Sequence, residues 1–352
     1  MSLFPKDRNL AVSPDRVELP VRASDFQLRH GELEIRLDTF LCRHLTWRSR
    51  TSVQRLIRDG YVSIRHAAPE REALPLAEER RPGRTLYDGA HVVVRIPEEL
   101  RIPAPRADAE GVRVLFEDDE VLAVDKPPHL AVHPSGRHLG DTLIQRVHAR
   151  YRSPDEDAEE RLPIRLCHRL DRETSGLILL GKGEVAHREL TVQFERREVR
   201  KEYLAIVHGV PERDSGIVDE AIGPALASEV RLKMCVRVDG QPSVTEWRVV
   251  ERYRSFALVA CRPRTGRQHQ IRVHMDAIGH PLVGDKLYGV DDGVFLRASR
   301  GESTDADRAE LLLDRHALHS HELRWRSPAT GQRRVQTAPL AEDLQAFLES
   351  CR

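Results

Sequence analysis

The sequence predicts an α+β protein in which a large domain with a mainly antiparallel central sheet follows a small domain of helices and short strands. Three observations lead there. After residue 112, apolar runs of strand length dominate and seldom alternate with helical stretches, which argues against a doubly wound parallel sheet. Between residues 36 and 97 a helical period gives way to short alternating runs. Separating the two regions, "EELRIPAPRADAEG" (98–111) has the prolines and small polar residues of a linker. The expected boundaries are an N-terminal extension over 1–33, a small domain over 34–98, a linker over 99–111 and a large domain over 112–352. A chain of 352 residues is long enough for both domains.

Residues 1–33 show no clear periodicity. In "RLDTFLCRHLTWRSRTSVQRLIRDGYVSIR", a helical wheel puts Val53, Leu56 and Ile57 on one side and Arg48, Arg55 and Arg58 on the other. Gly60 supplies a helix stop, and "YVSIR" alternates as a short strand. Asp88-Gly89 marks a turn before another strand, and the polar insert at 67–80 reads as a surface loop. In the large domain the expected strands are 112–116, 121–124, 177–180, 203–208, 244–250 and 256–261. The expected helices are 142–151, 185–196 and 270–278. Two acidic stretches, "DEDAEE" (155–160) and 291–314, read as solvated loops.

Charged residues make up 32% of the chain, and no apolar run approaches the roughly 20 residues of a membrane span. The start has no apolar stretch of signal-peptide type, so a cytoplasmic protein is expected. Five scattered cysteines form no CxxC pair or zinc spacing and read as free thiols. Net charge is zero, but its distribution is uneven. Seven arginines against two acids lie between Arg36 and Arg65, while 291–314 carries seven acids against three arginines. A local basic region on a neutral chain is compatible with binding one polyanion in one place.

Four polar clusters fall at predicted strand ends or turns: "DKPPHLAVHPS" (125–135), "HRLDRETSG" (168–176), "RKEYLAIVHG" (200–209) and "RTGRQHQIRVHMDAIGHPLVGDKLYG" (264–289). In the second, Asp171 stands between Arg169 and Arg172. Such a carboxylate is open to four readings: surface ion pair, metal ligand, general base or nucleophile. His133, His269 and His274 invite a metal, but no HExxH or ligand-spaced His/Asp cluster supports one. The glycines of "TSGLILLGKGE" form neither GxxxxGK[ST] nor GxGxxG, and GxSxG is absent.

Taken together, these clusters resemble the RluA family of pseudouridine synthases over nearly the whole of the large domain. "HRLDRETSGLILL" resembles the family's most diagnostic motif, which makes Asp171 the catalytic residue. "KEYLAIVHG" resembles the motif whose tyrosine, here Tyr203, lies against the target base. "TGRQHQIRVHMDAIGHPLVGDKLYG" resembles the motif whose arginine, here Arg272, pairs with the catalytic acid. "DKPPHLAVHP" and "RHALHSHEL" (315–323) resemble two further signatures; His129 stands where glycine is more usual, and the insert at 291–313 is long for the family. The region from Arg36 to Gly89 resembles the S-four RNA-binding domain. It has Arg36-Leu37-Asp38, Ser49-Arg50 and Gly60-Tyr61-Val62, with Asp88-Gly89 where glycine–aspartate is usual. An S-four domain ahead of this catalytic domain is the arrangement of the family's large-subunit ribosomal enzymes.

The resemblance implies an isomerase that breaks the bond from ribose to nitrogen 1 of uracil and remakes it to carbon 5. No redox step occurs and no group is lost, so no cofactor and no metal are expected. An ionised carboxylate can start the reaction by attacking the sugar or by removing a ribose proton, and an arginine partner favours the ionised form and fixes its orientation. Tyr203 offers a flat face for uracil, and its phenol is a candidate base. Lys201 and Arg267 are assigned to phosphate or to support of the site, and Ile271 to an apolar wall. Arg169 would fill the stack vacated by a flipped nucleotide. Arg48, Arg50, Arg55 and Arg58 are expected to contact RNA, His168, His269 and His274 to be structural, and Thr174, Ser175 and Gly176 to shape the turn presenting Asp171. The expected partner is RNA, most simply large-subunit ribosomal RNA, bound by a monomer with no membrane attachment. The competing expectations are a transfer RNA substrate and a non-catalytic ribosome-assembly factor; the intact set of Asp171, Tyr203 and Arg272 speaks against the latter.

Overall fold

A computed structural model describes residues 15–26, 28–45, 48, 50–66, 75–98, 112–134, 140–151 and 164–352. They divide into two compact units, one drawn from 1–110 and 133–161, the other from 111–132 and 162–352. The division near 111 falls beside the expected domain boundary, but 133–161 groups with the first unit rather than with the large domain. The whole linker over 99–111, Ser49, residues 67–74 of the polar insert and the acidic 155–160 lie outside the described residues.

In the first unit, β1 (Arg16–Pro20), β2 (Glu34–Arg36), α1 (Leu37–His44), α2 (Arg50–Arg58), β3 (Val62–Arg65), β4 (Ala77–Glu78), β5 (Thr85–Tyr87) and β6 (His91–Arg95) follow in order. One sheet runs β1-β6-β3-β4, and β2 pairs with β5. The extension expected over 1–33 is corrected here: β1 pairs antiparallel with β6, from Arg16 opposite Arg95 to Pro20 opposite His91. Val17, Leu19 and Val21 alternate inward and are buried, so the period is that of a strand over too few residues to stand out. The apolar side predicted for α2 is present, with Val53, Leu56 and Ile57 fully buried. The arginine side divides. Arg55 and Arg58 are exposed, whereas Arg48 precedes the helix, is half-buried and donates to Ser52 Oγ at 2.9 Å. Arg50 pairs with buried Asp38 at 3.3 Å, beside Arg36 at 3.0 Å and Gln54 at 2.9 Å. Hydrogen bonding from Arg36 holds Asp38 well below the usual carboxylate range, outweighing its burial. In the separate segment of this unit, α3 (Leu143–Arg150) starts on a Thr142/Gln145 capping box and buries Leu143, Ile144 and Val147.

The second unit contains β7 (Arg113–Glu117), β8 (Val121–Lys126), β9 (Ile164–Leu166), β10 (Ser175–Lys182), α4 (Glu184–Glu195), β11 (Arg200–His208), β12 (Ser215–Asp219), β13 (Ile222–Pro224), β14 (Met234–Val236), β15 (Val244–Arg252), β16 (Phe256–Pro263), α5 (Gln270–Ala277), α6 (Asp292–Arg300), α7 (Asp305–Leu311), β17 (Leu318–Arg326), β18 (Arg333–Thr337) and α8 (Glu342–Ser350). Its main sheet runs β12-β15-β16-β11-β17-β10-β8-β7, with β18 on β17 and β9 on β10. Every pairing is antiparallel except β10 with β17, where Ser175 faces His319 and Gly176 faces Ser320. This is the α+β architecture the sequence predicts. "GLILL" in β10 is apolar without alternation because the strand is central and buried on both faces. One side of the sheet packs Leu177, Leu179, Leu190 and Trp325, and another cluster gathers Ile206, Val283, Leu344 and Leu348.

The expectation of a solvated loop over 291–314 is also corrected, because the stretch forms α6 and α7. Asp291 caps α6 by accepting from Gly293 N at 2.8 Å, and Thr304 with Asp307 forms a capping box on α7. Arg297 on α6 reaches Asp307 on α7 at 2.9 Å, while Val294 and Leu311 turn into the core. The acids sit at helix starts, where the macrodipole favours them.

Candidate active site

The turn that carries Asp171 joins β9 to β10 and is fixed from several sides. Thr174 Oγ1 bonds to His316 at 2.8 Å, Ser175 Oγ bonds to His319 at 2.9 Å, and Glu173 pairs with Lys286 at 2.9 Å. Arg315 donates to the Glu173 carbonyl at 3.1 Å. Buried Lys126 donates to the carbonyls of Pro127, Leu130 and Arg172 at 2.8, 2.9 and 3.0 Å. Burial pushes its pKa down to about 7, yet three carbonyls match the three protons of an ammonium group. Gly176 has φ +102, and a Cβ there would lie 2.3 Å from the Ser320 carbonyl oxygen, so no other residue fits this crossing. The expectation for Thr174, Ser175 and Gly176 therefore matches the geometry.

Across from this turn, α5 presents Arg272. Its Nη1 donates to Asp171 Oδ2 at 3.2 Å, the ion pair expected from sequence across a hundred residues. Arg172 is not the partner: its head lies 3.7 Å from Glu173. Arg272 is itself held by Asp285, with Nε at 2.6 Å and Nη2 at 2.8 Å from the two carboxylate oxygens. Asp285 also accepts from the backbone N–H of Leu287 at 2.9 Å. Burial alone would lower the pKa of Arg272, but Asp285 and then Asp171 outweigh it and raise it. The guanidinium lies over the Tyr288 ring at 5.0 Å.

Tyr203 sits where the β11–β17 register slips between Glu202 and Tyr203, a bulge that re-aims the side chain. It is 8% exposed. Burial, with the Asp171 charge adding to it, raises its pKa well above that of a free phenol. Tyr203 is therefore held neutral, which weakens its candidacy as a base and leaves its flat face as the useful feature.

Asp171, Tyr203, Arg272, Arg169, Lys201, Arg267 and Ile271 all line one cleft of about 1150 Å³. Arg169 is exposed at its wall, Lys201 and Arg267 are half-buried, and Ile271 is 5% exposed. Burial lowers the pKa of Lys201. Arg48, Arg50, Arg55 and Arg58 lie in the other unit, and Arg50 is committed to Asp38. His168 and His274 are structural, as expected. His168 Nε2 accepts from Leu179 N at 2.9 Å, and burial takes its pKa down to about 3. His274 bonds to Thr245 Oγ1 and the Glu220 carbonyl, each at 2.9 Å. His269 differs, with Nε2 lying 4.0 Å from Asp171 Oδ2.

Sequence reasoning gives no role to Asp285, Tyr288, Lys126 or His316. Asp285 and Tyr288 lie inside the quoted "GHPLVGDKLYG", so the signal is present, but which side chain they serve follows only from the fold. Among the described residues, no group of three or more His, Cys, Asp or Glu is placed to hold a metal ion.

A cleft in which an arginine-held carboxylate lies beside a buried aromatic face, with further arginines and a lysine on its walls, suits an enzyme that works on a base of a polyanion. Residues 120–277 match the family model for RNA pseudouridylate synthase. The chain is 34% identical over 317 residues to the Bacillus subtilis (strain 168) protein named uncharacterized RNA pseudouridine synthase YlyB, covering 90% of this chain and 94% of that one. It is 35% identical over 320 residues to ribosomal large subunit pseudouridine synthase D of Nitrosomonas europaea, covering 90% and 85%. The solved structure of human RNA pseudouridylate synthase domain containing 4 is similar at TM-score 0.53 and 25% identity, covering 68% of this chain and 93% of that one. The chain belongs to the RluA family of pseudouridine synthases. It is an RNA pseudouridine synthase, an isomerase that needs a uridine in RNA as its substrate.

Proposed function

We propose that this enzyme modifies uridines in large-subunit ribosomal RNA, with Asp171 as the reacting carboxylate. The relative from Nitrosomonas europaea bears a large-subunit name, and its match runs through both units of this chain. The observation that carries the chemical reading is the ion pair between Asp171 and Arg272 inside the cleft, at 3.2 Å. It aims a carboxylate that keeps one edge in solvent reach, its side chain 28% exposed.

In this reading the target nucleotide leaves the stack and enters the cleft. Arg169, exposed on the cleft wall, takes the vacated place, and uracil lies on Tyr203. Asp171 either attacks carbon 1′ or removes a ribose proton, and the bond from carbon 1′ to nitrogen 1 breaks. The freed uracil turns and carbon 5 bonds to carbon 1′, displacing Asp171 from that carbon in the first case or with Asp171 returning the ribose proton in the second. The carbon 5 proton is then lost while nitrogen 1 gains one. Lys201 and Arg267 meet the flanking phosphates, and Ile271 bounds the base pocket. The first unit acts as an S-four RNA-binding domain, with the exposed Arg55 and Arg58 turned toward phosphate.

The test maps pseudouridine in ribosomal and transfer RNA from cells with and without the gene, complemented by wild type or by Asp171→Asn. Loss at one or more large-subunit positions, restored by wild type and not by the variant, is expected. Loss confined to transfer RNA would move the substrate, and full restoration by Asp171→Asn would remove Asp171 from the chemistry.

A further inference from the structure

His269 is the side chain at this cleft that the pairing of Asp171 with Arg272 leaves unexplained. It precedes α5 with φ 57 and ψ 17, a left-handed conformation that a residue with a β-carbon adopts only when its surroundings require it. Its side chain is 8% exposed. Nδ1 lies 2.9 Å from Tyr288 Oη, and the same oxygen accepts the backbone N–H of Met234 at 3.1 Å. Tyr288 is 2% exposed, so its hydroxyl proton has no solvent to bond. If Oη accepted from both Met234 and Nδ1–H, that proton would be buried without a partner, which is costly. The satisfied arrangement has Met234 donating to Oη, Oη donating to Nδ1, and the ring proton on Nε2. Nε2 is the atom that faces Asp171 Oδ2, at 4.0 Å, the oxygen already held by Arg272.

We infer that His269 is a second fixed donor to the Asp171 carboxylate: Tyr288 holds it as the Nε2–H tautomer, and that N–H closes onto Oδ2 when a uridine fills the cleft. The inference rests on the reading of Asp171 as the reacting group. Catalytic hydrogen bonds are commonly long in an empty site and tighten around substrate. Two donors on Oδ2 turn Oδ1 toward the sugar and set its lone pairs, whichever first step it performs. Burial, then the Arg272 charge, brings the pKa of His269 down to about 4, so the ring stays neutral near pH 7. A neutral donor orients the carboxylate without cancelling the charge it needs. His269 is thus a positioning residue, acting through Asp171.

The full chain is assayed by single-turnover release of tritium from carbon 5 of uridine in transcribed large-subunit ribosomal RNA. Asparagine keeps an acceptor at the Nδ1 position and tolerates the left-handed backbone, but has no group at Nε2. His269→Asn is expected to slow release roughly 10- to 100-fold, the size of one missing hydrogen bond to a charged group, with RNA Kd unchanged. His269→Gln, which carries an amide N–H out to the Nε2 position, is expected to be faster than His269→Asn. Asp171→Asn is expected to release nothing. A wild-type rate in His269→Asn, or an effect on Kd in place of rate, overturns the inference while leaving the role of Asp171 standing; a wild-type rate in Asp171→Asn overturns that role itself. Because variants at a strained position can misfold, nitrogen-15 NMR of the histidine rings in wild type provides an independent measurement. A proton on Nε2 of His269 is expected, and a proton on Nδ1 overturns the inference.

Discussion

Asp285 grips Arg272 through two nitrogens, at 2.6 and 2.8 Å, and leaves Asp171 the third, at 3.2 Å. The guanidinium is therefore a rigid bridge between one carboxylate that is fully buried and one that opens on the cleft. Its planar fork makes both contacts at once, which the single point charge of a lysine cannot do.

Removing the Asp285 charge would leave a buried arginine with one partner instead of two. Breaking a buried pair by deleting one member costs about 3–5 kcal/mol. Asp285→Asn is expected to lower the urea midpoint by that equivalent and to slow pseudouridine formation. The double change Asp285→Leu with Arg272→Met removes both charges and is expected to be more stable than Asp285→Asn, yet inactive. Wild-type stability and rate in Asp285→Asn would show that the bridge needs no anchor.

The crossing of β10 and β17 makes Gly176 a backbone position that cannot take a side chain without moving the strands. Gly176→Ala must place a methyl 2.3 Å from a carbonyl oxygen at φ +102, whereas Gly279, at φ +82, has nothing within 4 Å of its Cβ position. Gly279→Ala is expected to cost about 1 kcal/mol, the left-handed strain alone. Gly176→Ala adds a clash with backbone, and is expected to cost more and to displace Asp171. Equal urea midpoints for the two variants would rule out the clash.

How much of this is legible in the sequence depends on whether a feature is local. The helix over α2 and the strand over β10 are readable because three apolar positions on one helix face, or one unbroken apolar run, are set within a few residues of each other. The pairing of Asp171 with Arg272 is readable only through motifs carried by the family. β1 escapes because its partner β6 lies some seventy residues downstream, and a strand of five residues has little period of its own. α6 and α7 escape because their charge suggests solvent; caps and the Arg297–Asp307 pair, not an apolar stripe, set where they begin and how they meet. Asp285 and Tyr288 are in plain view, but their function is to hold other side chains, and that is written only in three dimensions.

Several histidines are buried as neutral rings. Burial takes His168 down to about 3, and His269 and His319 to about 4. An unfolded histidine titrates near 6.5, so below that pH the unfolded chain binds more protons than the folded one. Stability is then fully present above about pH 6.5 and is lost as pH falls toward 4, by about 1.4 kcal/mol per pH unit for each such ring. The urea midpoint is expected to fall steadily from pH 7 to pH 5. A flat or rising midpoint over that window would mean that the rings take up protons without unfolding.

The four arginines expected to contact RNA do not stand alike. Arg50 is tied to buried Asp38, with Arg36 and Gln54 on the same carboxylate, so Arg50→Gln is expected to loosen α1 against α2 and lower stability. Arg55 and Arg58 are exposed and make only long contacts, 3.4 Å to Asp59 and 3.4 Å to Gln54. Such contacts are worth little in water and are easily exchanged for a phosphate. Replacing both by glutamine is expected to leave the urea midpoint in place and to weaken RNA binding. The slope of log K against log salt should flatten by roughly 0.7 for each phosphate that is no longer neutralised. Filter binding of large-subunit ribosomal RNA across a salt series measures it. An unchanged slope would take α2 off the RNA, and a fall in stability equal to that of Arg50→Gln would make its exposed arginines structural.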